Sequence, residues 1–137
     1  MTRFLGIDYG KRRIGIAISD DKGMMAFPKA VLPNDNFLMG ELKTLIAGHD
    51  IGTVVLGESK DYEMNPNPIM SKIKAFADEL ERETGVVVAY EPEILTSHQA
   101  AHAVHISGKT DMIDASAASI ILQSYIDRTM ESNGNRK

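Results

Sequence analysis

A mixed α/β fold is predicted by three features of the chain. Short apolar runs joined by tight turns open it, continuous apolar runs follow, and helical periodicities separate them. Of the 137 residues, 43% are apolar and 25% charged, enough for one full hydrophobic core and ordinary for a soluble globular protein. The expected layout is a single domain over 1–130 followed by a polar tail over 131–137.

The elements follow in order. Arg3 to Ile7 and Ile14 to Ser19 flank Gly10 and the cations Lys11, Arg12 and Arg13, a pattern of strand, tight turn and antiparallel strand. Met25 to Leu32 is a third strand, which Pro28 confines to an edge or bulged position. Asn34, Asp35 and Asn36 offer caps for a helix from Phe37 to Ala47, with Leu38, Leu42, Leu45 and Ile46 on one face and Gly48 as its stop. Thr53 to Leu56 is apolar without alternation, the mark of a strand buried on both faces. After a polar loop from Lys60 to Pro66, Asn67 caps a helix with Pro68 at its first position. Ile69, Ile73, Phe76, Ala77 and Leu80 then recur at helical spacing before Gly85. Val86 to Tyr90 reads as another doubly buried strand. Thr96 or Ser97 caps a helix closed by Gly108, and Asp111 caps a last helix running to Thr129. The helical crossovers make the last two strands parallel to each other and to the first.

Charge and composition narrow the function. A net charge of −4 counts against a protein that coats nucleic acid. It leaves room for an enzyme acting on a phosphodiester, because acids gathered around a metal lower the net charge while a local basic rim still meets the backbone. The absence of cysteine excludes disulfides and thiolate metal sites. No apolar stretch approaches the roughly 20 residues that span a bilayer, and no leader pattern opens the chain, so no membrane partner and a cytoplasmic location are expected.

Asp8 stands where an apolar strand favours Val or Leu. Taken alone, it could begin an Asx turn at Tyr9-Gly10 or pair with Lys11, Arg12 or Arg13. The other acids change its meaning. Sites in open α/β sheets lie beyond the carboxyl ends of the parallel strands. Asp8 is near that end of the first strand, Glu58 just past the run Thr53 to Leu56, and Glu91 and Glu93 just past Val86 to Tyr90. Asp114 shares the apolar stripe of the last helix with Ala117, Ala118, Ile121, Leu122 and Tyr125. A favourable position in the helix dipole explains an acid in that first turn, but not one on the apolar face. Converging carboxylates repel unless a cation lies between them, and hard oxygen ligands without thiols select Mg²⁺ or Mn²⁺. Ions about 4 Å apart can activate a water and stabilise the leaving oxygen of a phosphodiester. The residues thus point to metal-dependent phosphoryl transfer, with the choice among Glu58, Glu91 and Glu93 left open. Lys11, Arg12 and Arg13 would ordinarily be a solvated turn; beside Asp8 they are expected to be nucleic-acid contacts that position a backbone without reading sequence.

Several motifs together resemble the YqgF/RuvX family of pre-16S ribosomal RNA nucleases and Holliday junction resolvases. They are Asp8-Tyr9-Gly10, Arg13-Ile14-Gly15 and Ser19-Asp20 at the start, Thr53 to Gly57, and Leu95-Thr96-Ser97 with Ala100. The last are Asp114-Ala115-Ser116-Ala117-Ala118 and Ile121-Leu122-Gln123-Ser124-Tyr125. The resemblance implies an RNase H-like fold with helices on both faces of a five-stranded sheet of order 3-2-1-4-5. It also implies divalent-metal nuclease chemistry and maturation of the 5′ end of the small-subunit rRNA precursor. Asp8 and Asp114 match family acids. The family's Asp-Glu-Arg appears as Pro92-Glu93-Ile94, so Glu93 matches and the arginine is missing. Glu58-Ser59 stands where the family commonly has an apolar residue and a proline, and Glu58 could supply a further ligand. The implied partners are pre-rRNA or branched DNA and ribosomal precursor particles, with the chain a monomer or weak homodimer.

Other features carry less. His98, His102 and His105 share a helical face without a patterned acid, so a solvated or nucleic-acid-facing stripe explains them better than a zinc site. Ser59 and Thr96 lack a local base. An actin-like ATP-binding domain would need a second such domain to close over nucleotide, and 137 residues do not supply it. A non-catalytic nucleic-acid or ribosome-assembly module is the other alternative, favoured by the missing arginine.

Overall fold

The computed structural model describes residues 3–58, 69–92 and 112–134. Five strands form one sheet: β1 (Arg3–Tyr9), β2 (Arg13–Ser19), β3 (Ala26–Pro33), β4 (Ile51–Glu58) and β5 (Val87–Pro92). Their order is β3-β2-β1-β4-β5. The β1–β2 and β2–β3 pairs are antiparallel, while β1–β4 and β4–β5 are parallel. Three helices complete the described chain: α1 (Leu38–Gly48), α2 (Ile69–Thr84) and α3 (Met112–Gly134).

Alternation along the strands separates two cores. Leu5 and Ile7 of β1, Ile14 and Ile16 of β2, and Val54 and Leu56 of β4 face α1 and α2, where they meet Leu42, Ile73 and Leu80. Residues of the other parity, including Ala17 and Val55, meet Ala118, Ile121, Leu122 and Ile126 of α3. The sheet is therefore covered on both sides in the RNase H-like manner. Gly6 marks the closest approach of α3: a Cβ there would lie 2.8 Å from Leu122 Cβ and 2.9 Å from the Ala118 carbonyl oxygen. Only a residue without a side chain lets the helix seat this deeply.

Several boundaries differ from expectation for identifiable reasons. The N-cap of α1 is Phe37, not Asn34, Asp35 or Asn36. Asn34 is occupied elsewhere, donating its backbone N–H to the Arg12 carbonyl at 2.9 Å and its side-chain amide to the Gly10 carbonyl at 2.8 Å. Asp35 Oδ1 instead accepts the Phe37 N–H. Gly48 is the last residue of α1, and the reversal falls on Asp50, whose φ of 55° is left-handed. At the end of α2 the expectation holds, with Gly85 at φ 78° and its N–H on the Glu81 carbonyl.

β5 is not doubly buried: it forms the sheet edge, and Val87 is 63% exposed. β3 forms the other edge. Its register jumps from Ile16–Ala30 to Ala17–Pro28, leaving Lys29 as a bulge, so Pro28 is both at an edge and at a bulge. α3 continues past Thr129 to Gly134, with the Thr129 hydroxyl folded back onto the Tyr125 and Ile126 carbonyls. No described helix is long and apolar enough to cross a membrane.

Candidate active site at the carboxyl rim of the sheet

The parallel strands β1, β4 and β5 end at one rim, where register places the acids. Ile7 pairs with Leu56 and Leu56 with Tyr90, a row facing α1 and α2. One step on, Gly57 pairs with Glu91, and Asp8 continues β1 at the same level. This row has the parity of Gly6 and Val55, so Asp8 and Glu91 are on the α3 side with Gly57 between them. Two strand spacings separate the backbones of Asp8 and Glu91, about 10 Å. Asp8 is half-buried.

Glu58 falls in the next row, paired with Pro92, and alternation directs it to the opposite face from Asp8. Its electrostatic company agrees. The Tyr90 hydroxyl is pushed above its ordinary pKa first by burial, then by Asp78, Glu81 and Glu58, and Tyr90 packs on the α1–α2 core.

Glu91 is already neutralised. It is 4% exposed, and its Oε1 accepts Arg128 Nε at 3.1 Å and an Arg128 terminal nitrogen at 2.5 Å. Oε2 accepts the Ser124 hydroxyl at 2.8 Å. The Arg128 guanidinium, 5.6 Å from the centre of the Tyr125 ring, is held above its ordinary pKa chiefly by the hydrogen bond to Glu91. The sequence reading missed this clasp between β5 and α3; Ser124, Tyr125 and Arg128 at i, i+1 and i+4 are its only local trace.

Asp114 lies in the first turn of α3. The helix runs from Tyr125 against Phe4, ring centroids 5.9 Å apart, to Leu122 and Ala118 against Gly6. That course proceeds along β1 toward Asp8, and Asp114 is the helical position one turn before Ala118. Glu93 lies outside the described residues, as do His98, His102, His105, Ser59 and Thr96. Among the described residues no group of three acids or histidines is arranged to hold a metal ion.

The cations Lys11, Arg12 and Arg13 are exposed at the β1–β2 turn, next to Asp8 along the rim. A Cβ at Gly10 would stand 2.5 Å from the Arg13 carbonyl oxygen, so the tightness of the turn depends on glycine. The two Asn34 bonds fix the turn from β3.

Sheet order, two-sided helical cover and an acid at the end of the central strand define the RNase H-like class. Among solved structures, T. thermophilus RuvC in complex with a Holliday junction substrate superposes with a TM-score of 0.60 at 16% identity, covering 95% of this chain and 96% of that one. A fowlpox virus resolvase bound to Holliday junction DNA superposes with a TM-score of 0.62 at 14% identity, covering 93% and 99%. At these identities the likeness is one of fold. The sequence goes further: residues 2–128 match the family model described as "RuvX: Holliday junction resolvase", and the chain belongs to the RuvX (YqgF) family. A relative from Ruegeria sp. (strain TM1040), named "Putative pre-16S rRNA nuclease", is 32% identical over 135 residues, 93% of this chain and 86% of its own length. One of the same name from Lactobacillus delbrueckii subsp. bulgaricus is 34% identical over 136 residues, 91% of this chain and 96% of its own length.

Proposed function

We propose that this chain is a divalent-metal-dependent nuclease that cleaves phosphodiester bonds in the 5′ region of the small-subunit rRNA precursor. The observation that carries the reading is the placement of Asp8. It is a half-buried carboxylate at the carboxyl end of the central strand, on the face where the first turn of α3 brings the Asp114 position toward it. Membership of the family and the names of its relatives supply the activity and the RNA substrate.

The metal set we assign is Asp8, Glu93 and Asp114. What favours Glu93 over its neighbours is the state of those neighbours: Glu58 belongs to the other face, and Glu91 is spent on Arg128 and Ser124. Oxygen donors without thiols suit Mg²⁺ or Mn²⁺. Gly57, bare of a side chain, leaves space beside Asp8 on the α3 side of the rim. Bound there, the ions would supply an activated water and charge stabilisation of the departing oxygen. Lys11, Arg12 and Arg13 hold the flanking phosphates, and Asp8 would hold the cation that the scissile one meets. The cellular partner is the ribosomal precursor particle that carries the RNA.

The test is cleavage of a precursor rRNA fragment and of a four-way DNA junction, each with Mg²⁺ or Mn²⁺. Wild type should cut the RNA, and Asp8→Asn should retain its fold and lose about a thousandfold in rate or more. Glu93→Gln and Asp114→Asn should lose Mn²⁺ binding in calorimetry, while Glu58→Gln and Glu91→Gln keep it. Full activity in Asp8→Asn would overturn the assignment. The family model's description favours the branched substrate as the second reading, which cleavage of the junction alone would establish.

A further inference from the structure

The sheet face opposite Asp8 carries a feature that the cleavage chemistry leaves unused. A cavity of about 430 Å³ opens between the end of β1, the start of α1 and the outer side of α2. Small-molecule sites run from roughly 300 to 1,000 Å³. Its apolar wall includes the Tyr9 ring, tilted 48° from that of Phe76 with centroids 5.1 Å apart, and Met39. Its polar wall is Asn34, Asp35, Asn36, Lys72 and Glu79. Lys72, Phe76 and Glu79 occupy one stripe of α2, at i, i+4 and i+7. Aromatic surface beside two amides, an ammonium and two carboxylates suits a flat heterocycle with donors and acceptors along its edge.

The mouth of the cavity narrows the choice of heterocycle. Asn34 both lines the cavity and fastens the β1–β2 turn through its bonds to the Arg12 and Gly10 carbonyls. The turn that carries the exposed cations Lys11 and Arg12 is thereby tied through its backbone to a residue of the cavity wall, and a cationic turn suits the phosphate of an entering nucleotide. Tyr9 is the chain neighbour of Asp8 and has the opposite parity, so the two are separated by only the thickness of the sheet. A polynucleotide crossing the rim with one phosphate at Asp8 brings an adjoining nucleotide over to Tyr9.

We infer that this cavity receives one unpaired nucleobase of the strand being cut, stacked on Tyr9 and met along its edge by Lys72 and Glu79. The inference rests on the nuclease reading and narrows its substrate class. The strand must present an unpaired nucleotide next to the scissile bond, which continuous duplex does not offer. Stacking of this kind tolerates any base and suits single-stranded segments.

The full chain, kept in EDTA to prevent cleavage, is titrated with single-stranded oligonucleotides carrying 2-aminopurine at successive positions, and with the same sequences as duplex. Wild type should quench the probe at one position of the single strand and at none of the duplex. Two variants disable the site, one where it meets the core and one on the exposed side of α2. Tyr9→Leu removes the stacking ring, and Ala75→Leu fills the cavity from an exposed position of α2. Both should abolish the quenching and weaken single-strand binding about tenfold, leaving duplex affinity unchanged. No position quenched in EDTA, together with cleavage by wild type and both variants once Mg²⁺ is restored, overturns the base pocket and leaves the nuclease reading intact. Loss of both binding and cleavage in wild type overturns the two together. Adenosine monophosphate binding that Ala75→Leu abolishes, without quenching in any strand, would make this a free-nucleotide site and overturn the strand-borne assignment.

Discussion

The antiparallel and parallel halves of the sheet share β1 yet finish differently at the same rim. In the antiparallel half the chain turns back at once, so Gly10 to Arg12 form a tight loop whose carbonyls are bonded by Asn34 and whose side chains project to solvent as cations. In the parallel half the next described element after β4 and after β5 is a helix, and the ends of those strands carry Glu58 and Glu91. A tight turn satisfies its own backbone and frees its side chains, whereas a crossover leaves room at the strand end. β1 belongs to both halves, and Asp8 therefore stands between a basic lip and an acidic one. The acidic lip is itself divided: Glu91 is buried on the α3 side and clasped by Arg128, while Glu58 falls on the opposite face.

The junction of the halves is where a substitution should do most damage. Gly6→Ala drives a Cβ into the Ala118 carbonyl and Leu122, so α3 must lift, and the cost should be about 1–3 kcal/mol in thermal or urea unfolding. Cleavage should fall with it, since the Asp114 position moves away from Asp8; an unaltered melting curve would show that α3 does not depend on the bare glycine. Next comes Arg128→Leu in the parallel half. It leaves the Glu91 carboxylate buried with Ser124 as its remaining described partner, at a cost of about 1–2 kcal/mol because Arg128 is itself largely exposed. Adding Glu91→Gln should recover part of that loss in a double-mutant cycle, with cleavage intact in the double variant. In the antiparallel half, Lys11→Ala with Arg12→Ala should change stability by less than about 0.5 kcal/mol. Their effect should appear in the salt dependence of nucleic-acid binding, whose slope should shrink by about two.

The smallest effect belongs to the far end of that half. Asp20 Oδ1 accepts the Met24 and Met25 N–H groups at the β2–β3 turn, and these bonds, Met24's first, hold its carboxyl below the usual value. A lowered pKa in the fold adds stability above the unfolded value of 3.8 and withdraws it as pH falls through the folded one. The turn should loosen in acid below that range, visible as loss of the downfield Met24 and Met25 amide shifts. Asp20→Asn should remove this titration.

Much of this was legible because the signals were local. The Gly10 turn, the apolar stripes and the α/β alternation gave the element order, and Asp8 declared itself by interrupting an apolar run. The side of the sheet on which each later acid falls was hidden by the same feature that revealed β4. Val54-Val55-Leu56 is apolar at every position, so it carries no phase, and one residue of phase decides whether Glu58 joins Asp8 or departs from it. Glu91 was ambiguous because its arginine lies 37 residues away in sequence. Val86 to Tyr90 suggested a central strand, because a hydrophobic run does not say whether a neighbour exists on each side; the partner sits on one side only. The cavity had no signature of its own, being the space three elements leave between them.

The irregularity of β3 has a consequence for how the molecule behaves in company. Pro28 lacks an N–H, Lys29 interrupts the ladder, and Pro33 ends it, so that flank offers no continuous row of donors and acceptors to an arriving strand. A ribbon of copies cannot begin there, and a concentrated or partly unfolded population is spared one common route to fibres.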